Sequence, residues 1–184
     1  MTVPPEDRFF VLTGGPCSGK STLIAALQRA GFQAMPEAGR AIIQQQVAID
    51  GPALAWKDPG LFAELGLSWE MRSYREALQL TGPVFFDHSL AGSPGYYRLM
   101  GLPVPAHVHA AASTMRYHRR ALIAPPWAEI YENDAERKQT WEEAVATYEH
   151  IVETYTEYGY DLVELPKVSV QDRVQFVVAT LGLE

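Results

Sequence analysis

Short apolar runs bounded by glycine, proline or charge alternate along this chain with stretches whose apolar residues recur three and four apart. Residues 9–13 (FFVLT) stand between Glu6-Asp7-Arg8 and two glycines, the pattern of a strand covered on both faces. Residues 20–30 then carry Leu23, Ile24 and Leu27 at helical spacing, with Gly31 where a C-cap falls. Residues 32–35 predict a second strand, and 37–49 a helix with Ala38, Ile42 and Ile49 inward and Gln44-Gln45-Gln46 in solvent. Over 61–80 a helix places Phe62, Leu65 and Trp69 on one stripe, and Gly82-Pro83 ends it. Val84-Phe85-Phe86-Asp87 reads as a buried strand that closes on a carboxylate. Helical pieces at 96–100 and 106–117 lead to a strand at 120–124, broken by Pro125-Pro126.

The clearest helix covers about 135–158, where Trp141, Val145, Tyr148, Val152 and Tyr155 alternate four and three apart. A last strand at 161–165 stops at Pro166, and Ser169 with Asp172 can cap a final helix that turns Val170, Val174, Val177, Val178 and Leu181 inward. Strands alternating with helices imply a parallel sheet wrapped on both sides by right-handed crossovers. Ligands then belong at the carboxyl ends of the strands.

With 184 residues, one domain is expected. An apolar share of 47% suffices for a core and excludes a disordered chain. The net charge of −7 argues against a protein that coats nucleic acid. No apolar run approaches the ~20 residues of a membrane span, and the first residues lack the basic and apolar regions of a signal peptide. Cys17 is the only cysteine, so no internal disulfide can form. A cytoplasmic location is the expectation; the oligomeric state is left open.

Gly14-Gly15-Pro16-Cys17-Ser18-Gly19-Lys20-Ser21 matches G-x-x-x-x-G-K-[ST] in full. Chance gives such a match in roughly one chain of this size in a hundred-odd. Here it also lies between a predicted strand and a predicted helix, where backbone N–H groups and the helix dipole converge on an anion. Lys20 is placed to reach β- and γ-phosphates, Ser21 to ligate Mg²⁺, and Thr22 to contact the α-phosphate.

At these residues the chain resembles the P-loop kinase group of nucleoside triphosphate-binding proteins. More narrowly, FVLTGGPCSGKSTL with PEAGRAII, VFFDHS and IAPPWAEIYENDAERKQ resembles a small bacterial ATPase-like family labelled AAA-type, itself similar to nicotinamide riboside kinases. The resemblance spans about residues 8–180. It implies a three-layer α/β fold with a five-stranded parallel sheet in the order 2-3-1-4-5, a helical lid, and ATP with Mg²⁺ as cofactors.

The resemblance also implies roles. Asp87 takes the place of the Walker B carboxylate that holds Mg²⁺, with a helix cap as the alternative. Where similar kinases continue Asp-Arg, this chain has Asp87-His88-Ser89, and where relatives carry an acid it has Gly92. Glu37 is the first candidate for general base and Asp87 the second, although Glu37 also suits the start of a helix. Arg40, Arg72 and Arg75 are candidates to clamp a substrate, or surface charges. Arg137, with Lys138 as alternative, stands where a lid cation would close over the transferring group, or in a charged first helical turn that includes Glu132, Asp134 and Glu136. Trp127 and Tyr131 can stack on a base or pack the lid. The five histidines are expected to be structural.

The function expected is transfer of the ATP γ-phosphoryl group to a hydroxyl of a small, nucleoside-like acceptor. The competing expectation is a nucleotide-dependent switch read by a protein partner. The Asn/Thr-Lys-x-Asp signature of guanine recognition does not occur, which favours ATP.

Overall fold

The computed structural model describes residues 3–131 and 140–183. One helical turn, α1 (Pro5–Arg8), leads into β1 (Phe9–Gly14), the glycine loop and α2 (Lys20–Arg29). The chain continues through β2 (Gln33–Met35), α3 (Ala38–Ala48), α4 (Pro59–Ala77), β3 (Val84–Asp87), α5 (Ser93–Leu99) and α6 (Ala106–Thr114). It ends with β4 (Arg120–Ala124), α7 (Trp141–Glu157), β5 (Asp161–Glu164) and α8 (Val170–Leu181). The sheet has five strands, all parallel, in the order β2-β3-β1-β4-β5, as the resemblance implied.

The apolar runs are central because both of their faces are covered. Phe9 and Val11 point into one core with Val84 and Phe86, while Phe10 and Leu12 point into the other with Phe85 and Leu122. Helices α4 to α7 close the first core, and α2 with α8 closes the second. Burying each of these phenylalanines stabilises the fold by about 2–3 kcal/mol. In the first core Tyr117 meets Phe86 edge-on with ring centroids 5.0 Å apart, and Tyr74 at 5.2 Å. That is the geometry aromatic quadrupoles favour.

Helix positions followed the periodicity better than helix rotation did. In α4 the buried face is Ala63, Leu67, Tyr74 and Ala77, while Phe62, Leu65 and Trp69 are half-buried. Ile49, expected inward, is 73% exposed because α3 ends at Ala48 and Ile49 is its C-cap. α7 starts at Trp141 under a capping box in which Thr140 and Glu143 exchange hydrogen bonds. Its buried residues are Ala144, Thr154 and Tyr155. The earlier part of that predicted helix, 135–139, lies outside the described residues. Ser169 caps α8 as expected, accepting from the Asp172 N–H at 3.2 Å. Among the described residues no helix is long and apolar enough to cross a membrane.

Gly14 closes β1 with a φ of +131°, and a β-carbon there would collide with the Ala124 carbonyl oxygen of β4. Gly14→Ala therefore has to push β1 and β4 apart at the mouth of the loop. A loss of about 2 kcal/mol is expected, read as a melting temperature ~4–8 °C lower; an unchanged midpoint in thermal unfolding would contradict this close approach.

Candidate nucleotide and acceptor site

β1 is the middle strand, pairing Leu12 with Asp87 of β3 on one side and Leu122 of β4 on the other. The loop that follows it therefore opens at the carboxyl end of the sheet centre, where an α/β fold binds its ligands. Gly15 is buried, Pro16 and Cys17 are half-buried, and Cys17 has a φ of +56°. Ser18 is buried and its hydroxyl donates to the Gly15 carbonyl at 2.8 Å. Gly19 takes the left-handed conformation, φ +81°, as N-cap of α2. Lys20 is 8% exposed, and its ammonium donates to the carbonyls of Gly14 at 2.9 Å and Gly15 at 2.6 Å and to the Ser18 hydroxyl at 3.3 Å. Ser21 and Thr22 are exposed on the first turn of α2. The first ladder bond of that helix runs from Leu23 N–H to the Gly19 carbonyl, so the amides of Ser21 and Thr22 precede the ladder at the positive end of the dipole.

Asp87 ends β3 and is 8% exposed. Its Oδ1 lies 3.9 Å from His88 Nε2, and the His88 N–H donates to the Leu12 carbonyl at 2.9 Å. Glu37 follows β2 as N-cap of α3, with no side-chain capping bond. Because β3 lies between β2 and β1, Glu37, Asp87 and the loop share one edge of the sheet. A cavity of about 230 Å³ opens there, and Thr13, Glu37, Phe62, Glu70, His88 and Tyr96 are among the residues that line it.

The arginines divide differently from the expectation. Arg40 is half-buried on α3 and does not line the cavity. Arg72 is exposed and pairs with Glu76 one turn along its own helix, at 2.7 Å, while Arg75 is exposed on the same helix. Neither Arg72 nor Arg75 is brought to the cavity, because the inward face of α4 is the one carrying Leu67 and Tyr74. Arg137 and Lys138 lie outside the described residues, as do Glu132, Asp134 and Glu136. Tyr131 meets Trp141 edge-on at 5.4 Å. His107 pairs with Glu64 and His109 with Tyr158 at the surface, as structural histidines do.

Two functional candidates were missed from sequence. Arg173 is 2% exposed on α8, and its guanidinium donates to the Ser18 carbonyl at 3.1 Å and the Pro166 carbonyl at 2.8 Å. It also lies 4.7 Å from the centre of the Trp127 ring, so one side chain ties α8, the phosphate loop and the segment after β4 together. Burial holds its pKa below the usual arginine value. The overlooked signal was an arginine three residues after Val170 and four before Val177, on the inward stripe. Glu70 is the other. Burial, and to a lesser degree the charge of Asp87, pushes its carboxyl up to about 8. It stands three residues after Leu67 and four before Tyr74, an acid on a buried face.

Gly92, which stands where relatives carry an acid, has a packing reason. A β-carbon at Gly92 would sit 3.3 Å from the Tyr155 hydroxyl, and that hydroxyl shares a 2.8 Å hydrogen bond with Ser89. Any side chain at Gly92 would press on the Tyr155 ring and require it to give way slightly.

Fold and loop together define a P-loop nucleotide-binding protein of the kinase-like type. The chain belongs to the AAA domain family, which it matches over residues 9–173. A comparison with the curated proteins finds no match. Among solved structures it is similar to NadR in complex with NR, with a TM-score of 0.75 and 17% identity, over 96% of this chain and 52% of that one. It thus spans about half the length of the NadR chain. It is also similar to deoxyadenosine kinase from M. mycoides, TM-score 0.68 and 12% identity over 96% of this chain and 100% of that one. Thymidylate kinase from Ehrlichia chaffeensis gives a TM-score of 0.61 and 12% identity, over 97% and 100%.

Proposed function

We propose that this protein is a small-molecule kinase that moves the γ-phosphoryl group of ATP to a hydroxyl of an acceptor held in the cavity. The observation that carries the reading is the adjacency of two compartments. Thr13, one residue before the phosphate loop, and Glu37 line one cavity, with Asp87 ending the strand between them. A nucleotide switch has no need of such a cavity. The neighbours named as kinases, and NadR solved with NR, support the same class of reaction.

In this reading the loop amides and the α2 dipole take the phosphates, and Lys20 supplies the cation for the β- and γ-groups. Ser21 and Asp87 offer the hard oxygen donors that suit Mg²⁺, which in such sites keeps only one or two protein ligands. No cluster of three or more metal-ligating side chains occurs among the described residues, so a cage built wholly of protein ligands is not what these positions offer. When bound, the ion neutralises charge on the β- and γ-phosphates. Glu37 accepts the proton of the acceptor hydroxyl as its oxygen bonds to the γ-phosphorus and the bond to the bridging oxygen breaks, releasing ADP. Arg173 holds the loop by the Ser18 carbonyl while this happens.

The test is incubation with Mg²⁺ and γ-labelled ATP, with and without a pooled set of nucleosides, sugars and other hydroxyl compounds. Label is expected on a member of the pool. Phosphate release that is slow and indifferent to the pool would instead establish the switch.

A further inference from the structure

The cavity beside the phosphate loop has a polar character that the kinase reading alone does not explain. Among its described lining residues there is no lysine or arginine; the charged or titratable groups besides two tyrosines are Glu37, Glu70, His88 and His150. A phosphate group entering this space would lose its water near the Glu37 carboxylate, with no lysine or arginine among the described lining residues to offset the cost. The described part of the lining thus favours an acceptor without phosphate. Its volume, about 230 Å³, falls below the ~300–1,000 Å³ of drug-sized pockets and limits the acceptor to a small molecule.

Besides Thr13, whose Oγ1 in β1 is also enclosed without a hydrogen-bond partner among the described residues, two lining residues have polar atoms with nothing to bond. Glu70 Oε2 and the Tyr96 hydroxyl are both enclosed and have no hydrogen-bond partner among the described residues. Orphaned groups of this kind are rare in native interiors, and leaving one without a partner is destabilising. That two occur on the walls of one cavity points to a ligand that satisfies both. Phe62 packs against Tyr96 with ring centroids 5.7 Å apart and the rings tilted by 51°, giving the same wall aromatic faces on which a planar group can pack.

We propose that Glu70 and Tyr96 recognise the acceptor, and that the acceptor is an unphosphorylated hydroxyl compound offering them an amide-type edge, a nitrogen donor beside an oxygen or ring-nitrogen acceptor. A carboxyl and a phenol hydroxyl can each pair with such an edge, whereas an aliphatic polyol offers no planar face to the aromatic wall. The inference rests on the kinase reading for the presence of an acceptor, and adds its chemical class and the two residues that select it.

The experiment uses the full chain and four nucleosides, adenosine, deoxyadenosine, cytidine and thymidine, each beside its 5′-monophosphate, with ribose and glycerol as hydroxyl compounds that lack the edge. Binding is measured by titration calorimetry, and transfer by label from γ-labelled ATP. At least one nucleoside is expected to bind and accept label, its monophosphate and the two polyols binding at least ~10-fold more weakly. Tyr96→Phe removes one oxygen and Glu70→Leu removes a carboxyl whose Oε2 has no partner among the described residues, so both variants should fold. Each is expected to weaken nucleoside binding ~10-fold or more while ATP affinity stays within about twofold, and Glu70→Gln, which keeps a polar edge, should lose less. Tighter binding of a monophosphate or a polyol, or nucleoside binding unchanged in both variants, overturns this inference and leaves the kinase reading standing. No binding and no transfer for any compound, with ATP still bound, overturns both.

Discussion

Lys20→Ala is expected to weaken ATP binding by about 100-fold. The ammonium is held by the Gly14 and Gly15 carbonyls and the Ser18 hydroxyl, at the centre of the turn that the phosphates would occupy. In the proposed site a short swing of this side chain would bring it to two phosphate groups. Each charge-assisted hydrogen bond contributes about 1.5–3 kcal/mol, and 1.4 kcal/mol is tenfold in affinity, so losing two of them gives the stated factor at its lower bound. The loss should fall more heavily on ATP than on AMP, since the side chain serves the outer phosphates. Titration of the variant with the three adenine nucleotides reads both effects. Wild-type ATP affinity in a folded Lys20→Ala protein would remove the phosphate-loop assignment, and equal losses for all three nucleotides would point to a collapsed loop.

Glu37→Gln is expected to slow phosphoryl transfer by ~100-fold or more while ATP affinity changes less than threefold. The carboxylate lines the cavity and makes no capping bond to α3, so a glutamine of the same shape removes its capacity to take a proton while keeping the shape of the wall. General bases contribute about 10²–10⁴ in rate, which sets the size of the effect. Single-turnover transfer with the acceptor found by the label assay separates chemistry from binding. A matched fall in transfer and in nucleotide affinity would make Glu37 a structural acid at a helix start.

The strands and the phosphate loop were legible because their signals are local. A buried strand needs only a run such as FFVLT between breakers, and the loop needs its glycines and Lys20-Ser21 at fixed offsets. The rotation of helices with two partly apolar faces was not legible in this way. In α4 the stripe of large residues, Phe62, Leu65 and Trp69, outweighed the smaller Ala63 and Ala77 that meet the sheet. The same error hid Glu70, which turns inward with the small residues, while Arg72 and Arg75, offered as a substrate clamp or as surface charges, are exposed and do not line the cavity. Arg173 was hidden by its neighbours, since a run rich in valine reads as apolar whatever stands within it. Its partners, Ser18 and Trp127, lie 155 and 46 residues away in the chain and are brought near only once the sheet has formed.

At the two margins of the sheet β2 is three residues long and β5 four, with Asp161 and Glu164 exposed at the two ends of the latter. A free strand edge is a template on which another chain can add its own backbone, and short, acid-tipped edges offer little to copy. Continuous sheets running from one molecule into the next are therefore disfavoured, and the fold keeps its aggregation-prone FFVLT and VFFD runs in the interior positions, where the ladder is already filled on both sides.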